Sequence, residues 1–179
     1  MAEYQSLTHE FDPVYDSNSR ILILGTFPSV KSREYHFYYG HPQNRFWKVL
    51  AAITNEPIPG SIPEKKQLLL RHRIALWDVI KSCEIIGSSD SSIRNVVPAD
   101  IPWLLQQAPI SAIFGNGAKA CELFRKYAQP LLEESFQKGK CTKEACAIQK
   151  LPSTSPANAA WNLERLVGCW GTEILPFLQ

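Results

Sequence analysis

Four short apolar runs govern what this chain can fold into: Arg20–Gly25 (RILILG), Ile74–Val79, Ser111–Phe114 and Ala145–Leu151. Each has strand length. The first, a continuous β-branched and Leu run closed by Gly, suits a strand covered on both faces, as in parallel sheets. Between them lie segments whose apolar residues recur at helical spacing: Phe46, Trp47, Leu50 and Ile53 up to Pro57 and Pro59, then Pro63–Arg73, Ile101–Gln107, Ala118–Ala128 and Ala157–Trp170. Strands alternating with helices predict an α/β sandwich around a mainly parallel sheet of about four strands. With 179 residues, 45% of them hydrophobic, the chain can build one core, so residues 1–179 are expected to form a single domain. Residues 1–18 are expected to be an extended lead-in that lays Tyr4, His9, Phe11 and Tyr15 on that core.

Ligands of such folds bind beyond the carboxyl ends of the strands. Three segments are expected there: 25–47, 77–92 and 152–158. Residues 25–43 have no regular period and are expected to form a long irregular loop. A net charge of +2 permits a nucleic-acid partner without requiring one. No apolar run reaches the 18 residues of a membrane span. The start, MAEYQSLTHEFDPV, has no apolar stretch of a secretory signal, so the expected location is cytoplasmic or nucleoid-associated. Five cysteines (Cys83, Cys121, Cys141, Cys146 and Cys169) show no C-x-x-C spacing, and are expected to be free thiols rather than ligands of zinc or an iron–sulfur cluster.

Four constellations carry chemical potential, each with a plainer alternative. GTFPSVKSREYHFYYGHPQNRFWKVL, residues 25–50, mixes aromatic rings with Lys31, Arg33, Arg45 and Lys48. Rings beside cations suit a stacked base and its phosphates, or else the rings form a satellite core under a loop. LPSTSPANA, residues 151–159, offers hydroxyls and amides to a phosphate, or else Thr154 or Ser155 caps a helix whose first turn holds Pro156. Asp78, at the end of an apolar run, must find a donor or face the site, unless it is a turn residue. Gly115-Asn116-Gly117 alone reads as turn chemistry. His36 and His41 lack an evident third metal ligand.

Taken together, GTFPS with GHPQNRFW, LWDVI with DSSI, and LPSTSPANA resemble the uracil-DNA glycosylase superfamily. FYYGHPQNRFWKVL is similar to the mismatch-specific uracil/thymine glycosylases, and the whole set is most similar to the hypoxanthine-DNA (deoxyinosine) glycosylase branch. The resemblance runs from about Arg20 to Trp170. It implies a three-layer α/β/α sandwich with a central, mainly parallel four-stranded sheet. It also implies a monofunctional enzyme that flips a deaminated base from DNA and hydrolyses its N-glycosidic bond, with no cofactor and no metal, acting as a monomer. The catalytic carboxamide it implies is Asn44. Tyr39 falls where relatives stack an aromatic on the flipped base, and Asp78 where they read it. Gly25 and Phe27 complete the base pocket, Phe27 standing where many relatives carry a water-activating Asp or Asn. His41, Arg45, Ser153, Thr154, Ser155 and Asn158 are the expected DNA contacts. Leu151 replaces a His or Asn of many relatives, and Ser155 replaces a bulky wedge. The alternatives are a mismatch-type uracil/thymine glycosylase, for which Phe27 is the discordant residue, and a DNA-binding relative that has lost its chemistry.

Overall fold

A computed structural model of the chain describes residues 3–139 and 147–179. Its centre is a four-stranded sheet in the order β3-β2-β6-β7, all parallel. The strands are β2 (Ile21–Gly25), β3 (Ile74–Asp78), β6 (Ala112–Asn116) and β7 (Ile148–Leu151). Every residue of β2 is buried, and its side chains alternate between two cores. Leu22 and Leu24 face one, with Ile113, Leu104 and Phe124. Ile21 and Ile23 face the other, with Phe46, Leu50, Leu166 and Trp170. Two cores on one sheet are what three layers require. The expected α/β/α sandwich is therefore present.

The second core is roofed by α2 (Phe46–Thr54), α3 (Ile62–Arg71) and α7 (Leu163–Ile174). The first is covered by α4 (Ile101–Gln107) and by α5 (Ala118–Leu123), which runs through a wide π turn into α6 (Gln129–Gln137). A small antiparallel sheet completes that side, in the order β1-β4-β5: β1 (Gln5–Thr8), β4 (Ile80–Ile85) and β5 (Arg94–Pro98).

Several expectations change. The lead-in is not merely extended: Gln5–Thr8 pair with Ser82–Ile85 as a strand. Residues 25–43 are not wholly irregular, because α1 (Val30–Tyr35) interrupts them. It is capped by the Ser29 side chain and ends where His36 turns left-handed at φ 56°. The helix expected from Ala157 begins only at Leu163, capped by Asn162. Neither Thr154 nor Ser155 is a helix cap, and Pro156 is no first-turn proline. Cys83 and Cys121 are buried free thiols and Cys169 is half-buried; Cys141, Cys146 and the start of the expected fourth strand lie outside the described residues. Among the described residues no helix is long and apolar enough to cross a membrane.

The sheet delivers its strand ends to one edge. Gly25 is in register with Asp78, and Asn116 with Leu151. After Asp78 the chain leaves the parallel sheet within one residue. Val79 donates to the Gly25 carbonyl and Ile80 to that of Thr26, so Asp78 sits where the two sheets divide.

Candidate active site

Beyond these strand ends lies a cavity of about 590 Å³, walled by the 25–32 segment, Tyr39, Asn44, Asp78, the 116–119 turn and the 153–157 loop. That is within the range of small-ligand pockets.

One wall is a chain of hydrogen bonds whose direction is fixed. The Thr154 backbone N–H donates to Asn116 Oδ1 at 3.0 Å, so the Asn116 amide nitrogen is the atom donating to Thr154 Oγ1, also at 3.0 Å. The Thr154 hydroxyl in turn donates to Asn44 Oδ1 at 2.9 Å. Asn44 Oδ1 also accepts from the Phe46 N–H at 2.9 Å. A backbone N–H can only donate, so each bond assigns the next amide's polarity. Both lone pairs of the Asn44 carbonyl are committed, and Nδ2 is the polar atom it has left at the cavity wall.

Beside it, Arg45 holds the 152–161 segment. Its Nε and backbone N–H donate to the Thr154 carbonyl, one terminal nitrogen to those of Ser155 and Asn158 at 2.8 and 3.2 Å, and the other to that of Trp161. This is why the segment is not helical: its carbonyls converge on a guanidinium instead of on N–H groups four residues on. Arg45→Ala is expected to cost about 3 kcal/mol by stranding these acceptors. Calorimetry should find a melting temperature lower by roughly 10 °C.

The opposite wall is acidic. Asp78 is 4% exposed, and its Oδ2 lies 2.8 Å from His9 Nε2. His9 Nδ1 accepts from the Phe11 N–H at 3.1 Å, so the proton is on Nε2 and is donated to the carboxylate. Oδ1 receives no bond from the described residues. It lies 2.4 Å from the point where a Cβ on Gly25 would stand, and the Tyr39 hydroxyl is 2.8 Å from the same point. Glycine there keeps the floor open; an alanine would strike both oxygens. Tyr39 adopts a left-handed φ of 54°, and its ring stacks on Phe46 with centroids 4.0 Å apart and planes 22° apart. Burial first, then the Asp78 charge, pushes its hydroxyl well above the usual tyrosine range.

A family model described as the uracil DNA glycosylase superfamily matches residues 13–171. The chain belongs to the uracil DNA glycosylase superfamily. A relative from Methanosarcina acetivorans named hypoxanthine DNA glycosylase is 36% identical over 157 residues, covering 87% of this chain and 90% of that one. One of the same name from Methanosarcina barkeri is 37% identical over 114 residues, 63% of this chain and 72% of that one. A solution NMR structure of a candidate uracil DNA glycosylase from Methanosarcina acetivorans superposes with a TM-score of 0.74 at 32% identity, covering 94% and 96% of the two chains.

In this superfamily member, Gly25, Phe27, Tyr39, His41, Asn44, Asp78, Ser153, Thr154 and Ser155 all line the one cavity. Two assignments to DNA are corrected. Thr154 is fully buried and acts on Asn44 from behind. Arg45 turns its guanidinium inward to carbonyls. The others have partly local roles. Ser153 Oγ accepts from the Ser155 N–H, Ser155 Oγ from the Ala157 N–H, and the Asn158 amide donates to the Ser153 carbonyl. Two residues were missed as parts of the site. His9 lies 69 positions from its partner, with no local signal. Asn116 stood in a motif that reads as turn chemistry, although its place at the end of a buried strand was available as a clue. Among the described residues no group of three or more His, Cys, Asp or Glu could hold a metal.

Proposed function

We propose that this protein is a monofunctional DNA glycosylase that flips hypoxanthine from deoxyinosine in DNA and hydrolyses its N-glycosidic bond. The observation that carries this reading is the pairing across one base-sized cavity of a free carboxylate oxygen, Asp78 Oδ1, with a rigidly held carboxamide, Asn44. The names of the two relatives agree with it. Base flipping is needed because the bond to be broken is shielded within the duplex. Hypoxanthine carries a donor at N1 where adenine carries a lone pair. Asp78 Oδ1 accepts from that N–H, whereas adenine would leave the carboxylate unpaired, at a cost of roughly 1–3 kcal/mol or more.

Deoxynucleotide cleavage passes through an oxocarbenium-like state, so a strong base is unnecessary. With its carbonyl committed, Asn44 works through its NH2 group: donation to a water oxygen holds that water while its second lone pair meets the sugar cation. The Asn44 carbonyl does not turn its dipole to the cation, because Phe46 and Thr154 occupy that oxygen. His41, Ser153, Ser155 and Asn158 are the proposed contacts to the DNA backbone at the rim, and the enzyme acts where the DNA is, in cytosol or nucleoid.

The test is incubation with inosine-, uracil- and undamaged oligonucleotides followed by alkali. Strand scission is expected only after alkali, and most efficiently with inosine. Preferred scission of uracil would favour the mismatch-type reading. Borohydride should trap no covalent adduct, since hydrolysis forms no Schiff base; a trapped adduct would overturn the monofunctional assignment.

A further inference from the structure

The Tyr39 hydroxyl is the one side-chain polar atom among the described residues that is fully buried without a hydrogen-bond partner. The Asn116 amide lies beside it; with Oδ1 taken by the Thr154 N–H, that amide can offer the phenol only a hydrogen, so the phenol's own proton has no acceptor among these residues. Such orphans are rare in folded proteins and call for a reason. The ring does not explain this one. Stacking on Phe46 needs no hydroxyl, and phenylalanine would fill the same volume. The left-handed backbone at Tyr39 costs energy in a bulky residue, so the side chain is held on this heading by its surroundings. The heading is towards Gly25: the hydroxyl and Asp78 Oδ1 stand 2.8 and 2.4 Å from the point where a Cβ on that residue would lie. That oxygen, too, receives no bond from the described residues. The two do not bond each other, yet each lies within 2.8 Å of that one point, so they are neighbours close enough to meet adjacent atoms of one planar base.

We propose that the Tyr39 hydroxyl is a specificity-determining donor: it bonds the exocyclic carbonyl of the flipped base while Asp78 Oδ1 accepts from the adjacent ring N–H. The inference rests on the glycosylase reading and on Asp78 as its acceptor. Together the two groups form a donor–acceptor pair matched to a lactam edge, N–H beside C=O. Hypoxanthine satisfies both. Adenine presents a lone pair to the carboxylate oxygen, and its amino group meets the hydroxyl only if that hydroxyl turns from donor to acceptor. Burial and the neighbouring carboxylate keep the phenol protonated, so it has a proton to give. Tyr39 is thus a reader of base identity as well as a wall. Guanine shares the lactam edge, and its exclusion falls to the cost of extracting it from a Watson–Crick pair.

The experiment compares wild type with Tyr39→Phe on duplexes bearing an uncleavable 2′-fluoro nucleotide. One set carries hypoxanthine; the other carries unsubstituted purine, which lacks both the N1–H and the carbonyl. Tyr39→Phe is expected to weaken the hypoxanthine duplex about tenfold, the yield of one neutral hydrogen bond. The purine duplex should change less than twofold. The variant should melt at the wild-type temperature or above it, because an unpartnered buried hydroxyl is removed. Equal weakening on both duplexes, no weakening on hypoxanthine, or a lower melting temperature overturns the proposal. Should the variant misfold, wild type alone decides. A 6-thio analogue, which keeps N1–H but accepts poorly, should bind several-fold more weakly than hypoxanthine, and equal binding overturns the proposal. Wild-type protein that releases hypoxanthine but shows none of these contrasts removes only the hydroxyl's role. Wild-type protein that releases no base removes the glycosylase reading itself.

Discussion

Asn44→Ala is expected to abolish release of hypoxanthine while leaving affinity for the damaged duplex within about tenfold. The amide acts in the transition state, when positive charge builds on the sugar and water must already be in place, so its loss falls on the chemical step. Removal of one preorganised polar group from such a step costs on the order of 10²–10³-fold. The carbonyls nearby are already bound to Arg45, which leaves the Asn44 amide as the proposed holder of the water. Single-turnover assays should therefore lose the product while gel-shift affinity persists. The variant also loses the acceptor for the Phe46 N–H at the start of α2, at about 1 kcal/mol of stability, too little to unfold the domain. Asn44→Asp separates the two polarities of the amide. Aspartate keeps an oxygen for Phe46 and Thr154 but offers no donor to the cavity. If the NH2 group is the working end, this variant fails like alanine. An active Asn44→Asp would show that an acceptor is what the water needs.

The parallel sheet was legible because its strands are buried on both faces: RILILG and SAIFG carry their burial in their composition. The antiparallel sheet was not. β1 is mostly exposed. β4 follows β3 after a single residue, and its register against β5 shifts twice. Irregular pairing of this kind blurs the period-2 pattern that marks a half-buried strand. α1 escaped notice because VKSREY has no apolar stripe; Ser29 and the turn at His36 define it instead. α6 was hidden by Pro130, which sits in its first turn, where proline is tolerated. Pro156 misled in the opposite sense. It has the look of a helix start, but Arg45, 110 positions from Ser155, takes the carbonyls that a helix would use. The site divides along the same line. Asn44, Asp78 and Tyr39, singled out by the resemblance and by strand position, line one cavity. His9 and Asn116 gain their roles only when folding brings them to Asp78 and Thr154. The polarity of each amide is likewise a property of the assembled network and of no single residue.

That network makes the outcome at Asp78 specific. Asp78→Asn is expected to reduce inosine release by about 10²-fold and to narrow, or reverse, the preference for inosine over adenine. His9 sets the direction. Its Nδ1 is held by the Phe11 N–H, so its Nε2 must donate, and the partner must present an oxygen. In the asparagine variant the carbonyl therefore turns to His9, and the NH2 group takes the place of Oδ1 above Gly25. A donor then meets the N1–H of hypoxanthine, where two hydrogens oppose each other, but it complements the N1 lone pair of adenine. The loss on one base and the gain on the other both move the ratio the same way, which a change in stability alone does not do. Specificity of this kind exceeds what size or stacking supplies, because a mismatched buried group is left unpaired. Release from inosine- and adenine-containing mismatched duplexes, measured side by side with the melting temperature, decides the matter. An unchanged ratio in a well-folded variant would mean that Asp78 holds His9 and the β1 strand in place, and that the base is read elsewhere on the cavity wall.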